Sequence, residues 1–332
     1  MSRRTAPEFD APRPAAPESA GHPARPGLAL GALLLAVAGC SDCGSCGSPP
    51  PPPATEISLG LVAGDFGGSS LASIVATSTV VNGQINPGNL KTYLWIAPDQ
   101  YADPAYLAAG NDPLYLASAD LNGDKLSDVV SASDNDGTLS VFLNNPKSPG
   151  QFNSPIVLTS PGASQLAIAD VNGDGLNDLV ITDPGPAGGA APTVSVLLQD
   201  HAHPRQFLAP VSYAIAANSD AQSIVVAPLG GKLLPDLPDI VIGGSSAVSV
   251  LLHNAAGAAG TFLAAANYAV TSANEIAVAD VNGDGLADIL VGTGPNSSTA
   301  NGVTTISPGV LLQIASAPGT FSAVQDIHQL LP

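Results

Sequence analysis

Three nine-residue stretches hold the side chains best suited to chemistry in this chain. They are Asp120-Leu-Asn-Gly-Asp-Lys-Leu-Ser-Asp128, Asp170-Val-Asn-Gly-Asp-Gly-Leu-Asn-Asp178 and Asp280-Val-Asn-Gly-Asp-Gly-Leu-Ala-Asp288. In each, oxygen-bearing side chains fall at positions 1, 3, 5 and 9. The chemistry this suits is capture of Ca2+, which takes six to eight oxygens at about 2.3–2.6 Å from a flexible loop. In the second stretch Asp170, Asn172 and Asp174 offer side-chain oxygens, Leu176 offers its carbonyl, and Asp178 closes the site as a strand begins. The leucine side chain is then free to point into the fold. Gly173 and Gly175 permit a tight backbone with positive φ. The same roles fall on Asp280, Asn282, Asp284, Leu286 and Asp288, and on Asp120, Asn122, Asp124, Leu126 and Asp128. Lys125 replaces a glycine, which disfavours positive φ and adds a cation.

The pattern is similar to the start of an EF-hand loop, but position 12 is Ser131, Ile181 or Val291 and supplies no carboxylate. Without a bidentate Glu the expected dissociation constant is about 10⁻⁴–10⁻³ M, suited to extracellular calcium. Two related stretches lack the ligands. Asp65-Phe-Gly-Gly-Ser-Ser-Leu-Ala-Ser73 keeps only its first acid; residues 228–239 carry an insertion, lose the first acid and gain Lys232. Neither is expected to hold calcium well.

No catalytic constellation stands beside these loops. His201 and His203 form an H-x-H pair near Asp200, which reads as a solvated turn. Nucleophile-elbow, phosphate-loop and H-E-x-x-H patterns are absent from the sequence. A non-enzymatic protein is expected.

The elements that position the loops are strands. Gly and Pro number 35 and 31 of 332 residues. Short Val-, Ile-, Leu- and Ala-rich runs such as Leu166–Ala169 and Leu179–Ile181 flank each loop, so the chain reads as all-β. The loops recur from positions 65, 120, 170, 228 and 280. A strand rich in Val and Leu recurs in step (Thr138–Leu143, Thr193–Leu198, Ala247–Leu252, Gly309–Ile314), as does an aromatic turn ending at Tyr101, Phe152, Phe207, Phe262 or Phe321. Four strands in roughly 55 residues is the size of a propeller blade. Five units fill residues 56–332.

These units resemble FG-GAP/VCBS repeats, the blades of integrin-α-like β-propellers. The resemblance rests on D-x-N-G-D-G-x-x-D followed by a buried strand and a later V-S-V-L-L…G-T-F stretch, best kept at 164–216 and 275–330. It implies a radial arrangement, with the first strand of each blade lining a central channel and the acidic loop joining the first strand to the second. The family commonly builds seven blades. Five are expected here, closing alone or completed by oligomerisation.

Residues 1–39 read as a signal peptide with a disordered start. Leu28–Ala38 is an apolar run of 11, too short to span a membrane but right for a signal core. It ends in Val37-Ala-Gly-Cys40, which looks like a bacterial lipobox; that resemblance implies cleavage before Cys40 and its lipidation. Residues 40–55, with Cys43, Cys46 and five consecutive prolines from Pro49, read as a tether and stiff spacer. The expected location is export, with lipid anchoring to the bacterial cell envelope, outer membrane or cell surface.

Beyond residue 39 the chain carries 5 basic and 24 acidic residues. Such a surface disfavours nucleic acid. The expected function is a binding or adhesion module for a protein or glycan. The alternatives are a structural component of the envelope and, less favoured, a polysaccharide-acting enzyme. Trp95, Tyr93, Tyr101 and Tyr106 are the one local aromatic cluster on which a ligand could stack.

Overall fold

Alternating β-branched and small residues between turn-forming Gly, Pro and Asp give strands throughout. The computed structural model describes residues 56–326, apart from 58–59, 70, 81–88, 99, 111–112, 134–136, 161–162, 184, 186–190, 217–220, 230–236, 271, 293–297, 301–302 and 306–308. The expected signal peptide (residues 1–39) and tether (residues 40–55), with Cys40, Cys43, Cys46 and the five prolines, lie outside the described residues. All described residues belong to one unit, residues 33–332, and every regular element among them is a strand.

The first sheet contains β1 (Glu56–Ile57), β2 (Leu61–Gly64), β3 (Ser73–Val80), β4 (Asn89–Tyr93) and β7 (Ala105–Ala108), with a small ribbon of β5 (Trp95–Ala97) and β6 (Gln100–Tyr101) beside it. The second comprises β8 (Pro113–Ala119), β9 (Asp128–Ser133), β10 (Thr138–Phe142) and β11 (Ile156–Thr159). The third holds β12 (Gln165–Ala169), β13 (Asp178–Asp183), β14 (Thr193–Leu197) and β15 (Val211–Ala214). The fourth is β16 (Ala221–Ala227), β17 (Asp239–Gly244), β18 (Ala247–Leu251) and β19 (Ala266–Ala269). The fifth is β20 (Glu275–Ala279) and β21 (Asp288–Gly292), then, after a ribbon of β22 (Ser298–Ala300) and β23 (Val303–Thr305), β24 (Gly309–Leu311) and β25 (Gln325–Asp326). All pairings are antiparallel meanders. The fold is therefore an all-β propeller whose blades follow one another in sequence. One detail differs from the expected four strands: in the first blade β1 adds a fifth strand, pairing Glu56 and Ile57 with the far end of β3.

The core does not sit inside the blades but between them, because each sheet is one layer thick with two apolar faces. Four buried clusters each mix residues of consecutive blades. One joins Val75 and Leu90 to Val129 and Phe142; the next joins Val130 and Leu139 to Leu179 and Leu197. The third joins Val180 and Val194 to Ile240 and Leu251; the fourth joins Val241 and Val248 to Ile289 and Leu311. This follows from the period-2 alternation of a strand: odd residues face one neighbour and even residues the other. Runs such as Val129-Val130 and Leu179-Val180-Ile181 are apolar at every position because both faces are covered. The first strands of successive blades touch in chain order, β2 to β8, β8 to β12, β12 to β16 and β16 to β20. No comparable contact joins β20 to β2 among the described strands.

Candidate metal loops and the latch beneath them

Each nine-residue loop joins the first strand of its blade to the second, so the three acidic loops occupy equivalent places on the same edge of their blades. Their side chains fold back on their own backbone. In the third blade Asp170 accepts from the N–H of Gly173 through Oδ1 (2.7 Å) and from Gly175 through Oδ2 (2.9 Å). Asn172 Oδ1 accepts from Asp174 N and Asp174 Oδ1 from Leu176 N, both at 2.9 Å. The fifth blade repeats this with Asp280, Asn282 and Asp284. In the second blade Asp120 accepts from Gly123 N at 2.7 Å and from Lys125 N at 2.8 Å. The backbone turns through positive φ at Gly173 (78°) and Gly175 (85°), as at Gly283 (78°) and Gly285 (83°). Lys125 takes the same conformation at φ 70°, against the expectation drawn from its side chain. The turn is held by Asp120, whose Oδ2 accepts from the Lys125 N–H.

Loop donors hold the exposed Asp280 carboxyl below its ordinary pKa, with the Gly285 N–H contributing most and the Gly283 N–H next. Leu126 is buried, whereas Leu176 and Leu286 are half-buried, so the inward leucine is complete in only one of the three loops.

Position 9 behaves differently. Asp178 is fully buried; its Oδ2 accepts from Val171 N (3.0 Å) and its Oδ1 from Gln199 N (2.7 Å). Asp128 holds Leu121 N (2.8 Å) and Asn144 N (2.7 Å) in the same way, and Asp288 holds Val281 N (3.1 Å) and Gln313 N (2.8 Å). Asp239, in the blade whose loop has Pro228 in place of the first acid, holds Leu229 N (2.8 Å) and His253 N (2.7 Å). Ser73 is a partial substitute in the first blade, accepting from Trp95 N at 3.0 Å. The aspartate is thus a latch that ties position 2 of the loop to the second residue beyond the third strand. Burial pushes the carboxyls of Asp128 and Asp178 up to about 6; the two backbone N–H donors oppose this, and the nearby loop acids add to the rise.

What the latch positions is the joint between blades. The position-2 side chains Phe66, Leu121, Val171 and Leu229 are at most 2% exposed and plug into the following blade. Three of their carbonyls are met from that blade: Asn144 Nδ2 donates to Phe66 O (2.9 Å), Gln199 Nε2 to Leu121 O (3.1 Å) and Gln313 Nε2 to Leu229 O (2.5 Å). Asn144, Gln199 and Gln313 are themselves held by the latch of their own blade. The loops also touch: Ser127 N donates to Asp65 O (3.0 Å), and Asn177 Nδ2 to Asp120 O (2.8 Å). The aromatic turns complete the joint. Phe262 packs edge-on against Tyr213 (5.8 Å) while its N–H donates to the Tyr213 hydroxyl (3.1 Å), and Phe321 repeats this with Tyr268.

The donor set is all oxygen, which fits a hard cation rather than a transition metal. A carboxylate has about four lone-pair sites, so Asp170 and Asp280 each retain acceptor capacity after binding two loop amides. Among the described residues no three His, Cys, Asp or Glu side chains are drawn into a preformed cluster; the acids are organised around backbone N–H groups instead. Asp120, Asn122, Asp124, Leu126 and Asp128, with their counterparts in the other two loops, are the residues that would hold the ion, the carbonyl serving at the leucine.

His201 and His203 do not join the loops into a cluster. His203 Nδ1 pairs with Asp200 at 2.8 Å, and His201 Nδ1 lies 3.9 Å from Asp174 on an exposed turn. The aromatic cluster gathers on the first blade. Trp95 and Tyr101 are cross-strand partners, and Lys91 Nζ sits 5.5 Å over the Tyr106 ring. Sequence reasoning missed the latch. Its signal was present: an Asp directly before an apolar run recurs as Asp128-Val-Val, Asp178-Leu-Val, Asp239-Ile-Val and Asp288-Ile-Leu, and it survives at 239 where the acid that opens the loop is replaced by Pro228.

Two stretches, residues 120–181 and 236–291, match the family model of the FG-GAP-like repeat. Each runs from the loop of one blade into the second strand of the next, so the matched unit spans a joint rather than one sheet. The chain therefore carries FG-GAP-like repeats, set in a propeller fold. No protein of curated function matches it.

Proposed function

We propose that this protein is an exported, lipid-anchored, calcium-binding propeller that serves as a non-enzymatic binding module for a protein or glycan. The observation that carries the reading is the loop geometry: three equivalent loops each have an all-oxygen donor set, and two of them, 120–128 and 170–178, lie on the polypeptide that stitches one blade to the next. Calcium there would neutralise acids held close together and stiffen the joints. The rigid scaffold would then present its exposed turns to a ligand, while Cys40 would tether it to the envelope. The excess of 24 acidic over 5 basic residues beyond residue 39 supports a ligand that is not a polyanion.

Calorimetric titration with Ca2+, followed by protein and glycan arrays with calcium and with chelator, tests both halves. The expected result is uptake at the three loops with a dissociation constant of about 10⁻⁴–10⁻³ M and a ligand retained more strongly with calcium. Absence of calcium uptake sinks the metal assignment. Uptake with no ligand on either array rejects the binding module and favours a structural envelope component.

A further inference from the structure

The four joints between blades share one construction, and the first and fifth blades each present half of a further one. At the leading face of the fifth blade, Val281 occupies position 2 of its loop, yet it is 41% exposed where Phe66, Leu121, Val171 and Leu229 are at most 2% exposed. Leu290 is half-buried, whereas Val75, Val130, Val180 and Val241 at the same register place are at 0%. Val310 on that face is itself buried, so what stands open is the part nearest the loop.

The trailing face of the first blade is the complementary half. Ile74 and Tyr93 are cross-strand partners there and are half-buried. Their counterparts in later blades, such as Val129 with Phe142 and Ile289 with Leu311, are at most 1% exposed. Tyr106 lies beside them, 59% exposed. Trp95 stands where the second, third and fifth blades place Asn144, Gln199 and Gln313, whose side chains donate to the preceding blade's position-2 carbonyl. An indole N–H can donate in the same way.

We propose that these faces mate between two copies of the chain, the first blade of one docking head-to-tail on the fifth blade of the other. The contact continues an interface already built four times: Val281 enters the space beside Ile74 and Tyr93, and the Trp95 N–H meets the Val281 carbonyl. Such a contact is heterologous, joining two different surfaces. It goes beyond the binding-module reading and does not depend on calcium or on an external ligand.

The test is the detergent-corrected mass of the full chain, by sedimentation over a concentration series, for wild type, Val281→Asp, Val281→Ala and Val157→Asp. Val157 is 58% exposed on β11 and lies on neither end face, so its variant controls for association through an anchor. The expected result is a multimer for wild type and Val157→Asp. Val281→Asp should weaken association by about tenfold or more, equivalent to ~1.4 kcal/mol, at an unchanged melting temperature, with Val281→Ala intermediate. A monomer at every concentration overturns the proposal, including the case where Val281 is protected from exchange by closure within one chain. Association that survives Val281→Asp overturns it equally.

Discussion

The loops of the third and fourth blades do the same architectural work with different chemistry. Residues 170–178 carry three acids and two asparagines; residues 228–239 have Pro228, Gly230 and Lys232 at positions 1, 3 and 5 and keep the closing Asp239 in its structural role. Yet Leu229 is almost as buried as Val171, and both latches hold the same two backbone N–H groups within 3.0 Å. Position 9 therefore belongs to the fold in every blade that has it, whereas positions 1, 3 and 5 are additions that a blade can lose. Each later blade of this chain is best understood as a buried carboxylate latch on which a variable loop, acidic in three blades, has been mounted.

Asp239→Ala puts that separation under the greatest stress. The substitution leaves the Leu229 and His253 N–H groups without an acceptor in a buried place. Each such group costs about 1–3 kcal/mol, so the expected loss is roughly 2–6 kcal/mol, the same in calcium and in chelator. Asp170→Ala is the contrasting variant. Its amide partners are exposed, and its main loss should be bound calcium: about 1.4 kcal/mol for one site at a concentration ten times its dissociation constant, falling to a few tenths in chelator. Denaturant melts of both variants in both buffers check this. An Asp239→Ala loss that vanishes in chelator, or an Asp170→Ala loss that persists there, would merge the two roles again.

The repeat, the strands and the loop-bearing edge of each blade were legible in the sequence because they depend on local rules. Alternation, glycine at positive φ and an aromatic after each turn are properties of a few adjacent residues. The joint was not legible, because it is made by residues far apart in sequence. Asn144 meets Phe66, Gln199 meets Leu121 and Gln313 meets Leu229 at separations of 78, 78 and 84 residues. The latch itself was hidden by the metal pattern: a carboxylate at the end of an acidic loop reads as a ligand, and only its full burial and two backbone donors reveal the second duty. Lys125 shows the opposite error, where a side-chain preference was weighed and a carboxylate–amide bond of 2.8 Å outweighed it.

A smaller effect is expected where the joint is closed by a hydroxyl. Tyr213 keeps its ring against Phe262 and accepts from the Phe262 N–H at 3.1 Å. Tyr213→Phe preserves the packing and removes the acceptor, so the expected loss is about 1 kcal/mol, independent of calcium. Tyr268→Phe should match it at the next joint, since the geometry repeats at 3.1 Å. Unequal losses in denaturant melts would show that the joints differ in how readily water replaces the hydroxyl.

The smallest effect should come from Lys125→Gly, and its sign is opposite. A non-glycine residue at φ 70° carries strain of about 1 kcal/mol, partly offset in the variant by the greater backbone freedom of unfolded glycine. The net expectation in chelator is a gain of about 0.5 kcal/mol or less. In calcium the gain should grow, because the variant also removes a cation from within the ligand run, between Asp124 and Leu126. Calorimetry on this variant should show tighter binding at the second blade, brought toward that of the loops with Gly175 and Gly285. If stability rises in chelator while calcium affinity is unchanged, the lysine acts through backbone conformation alone, and its charge lies too far into solvent to oppose the ion.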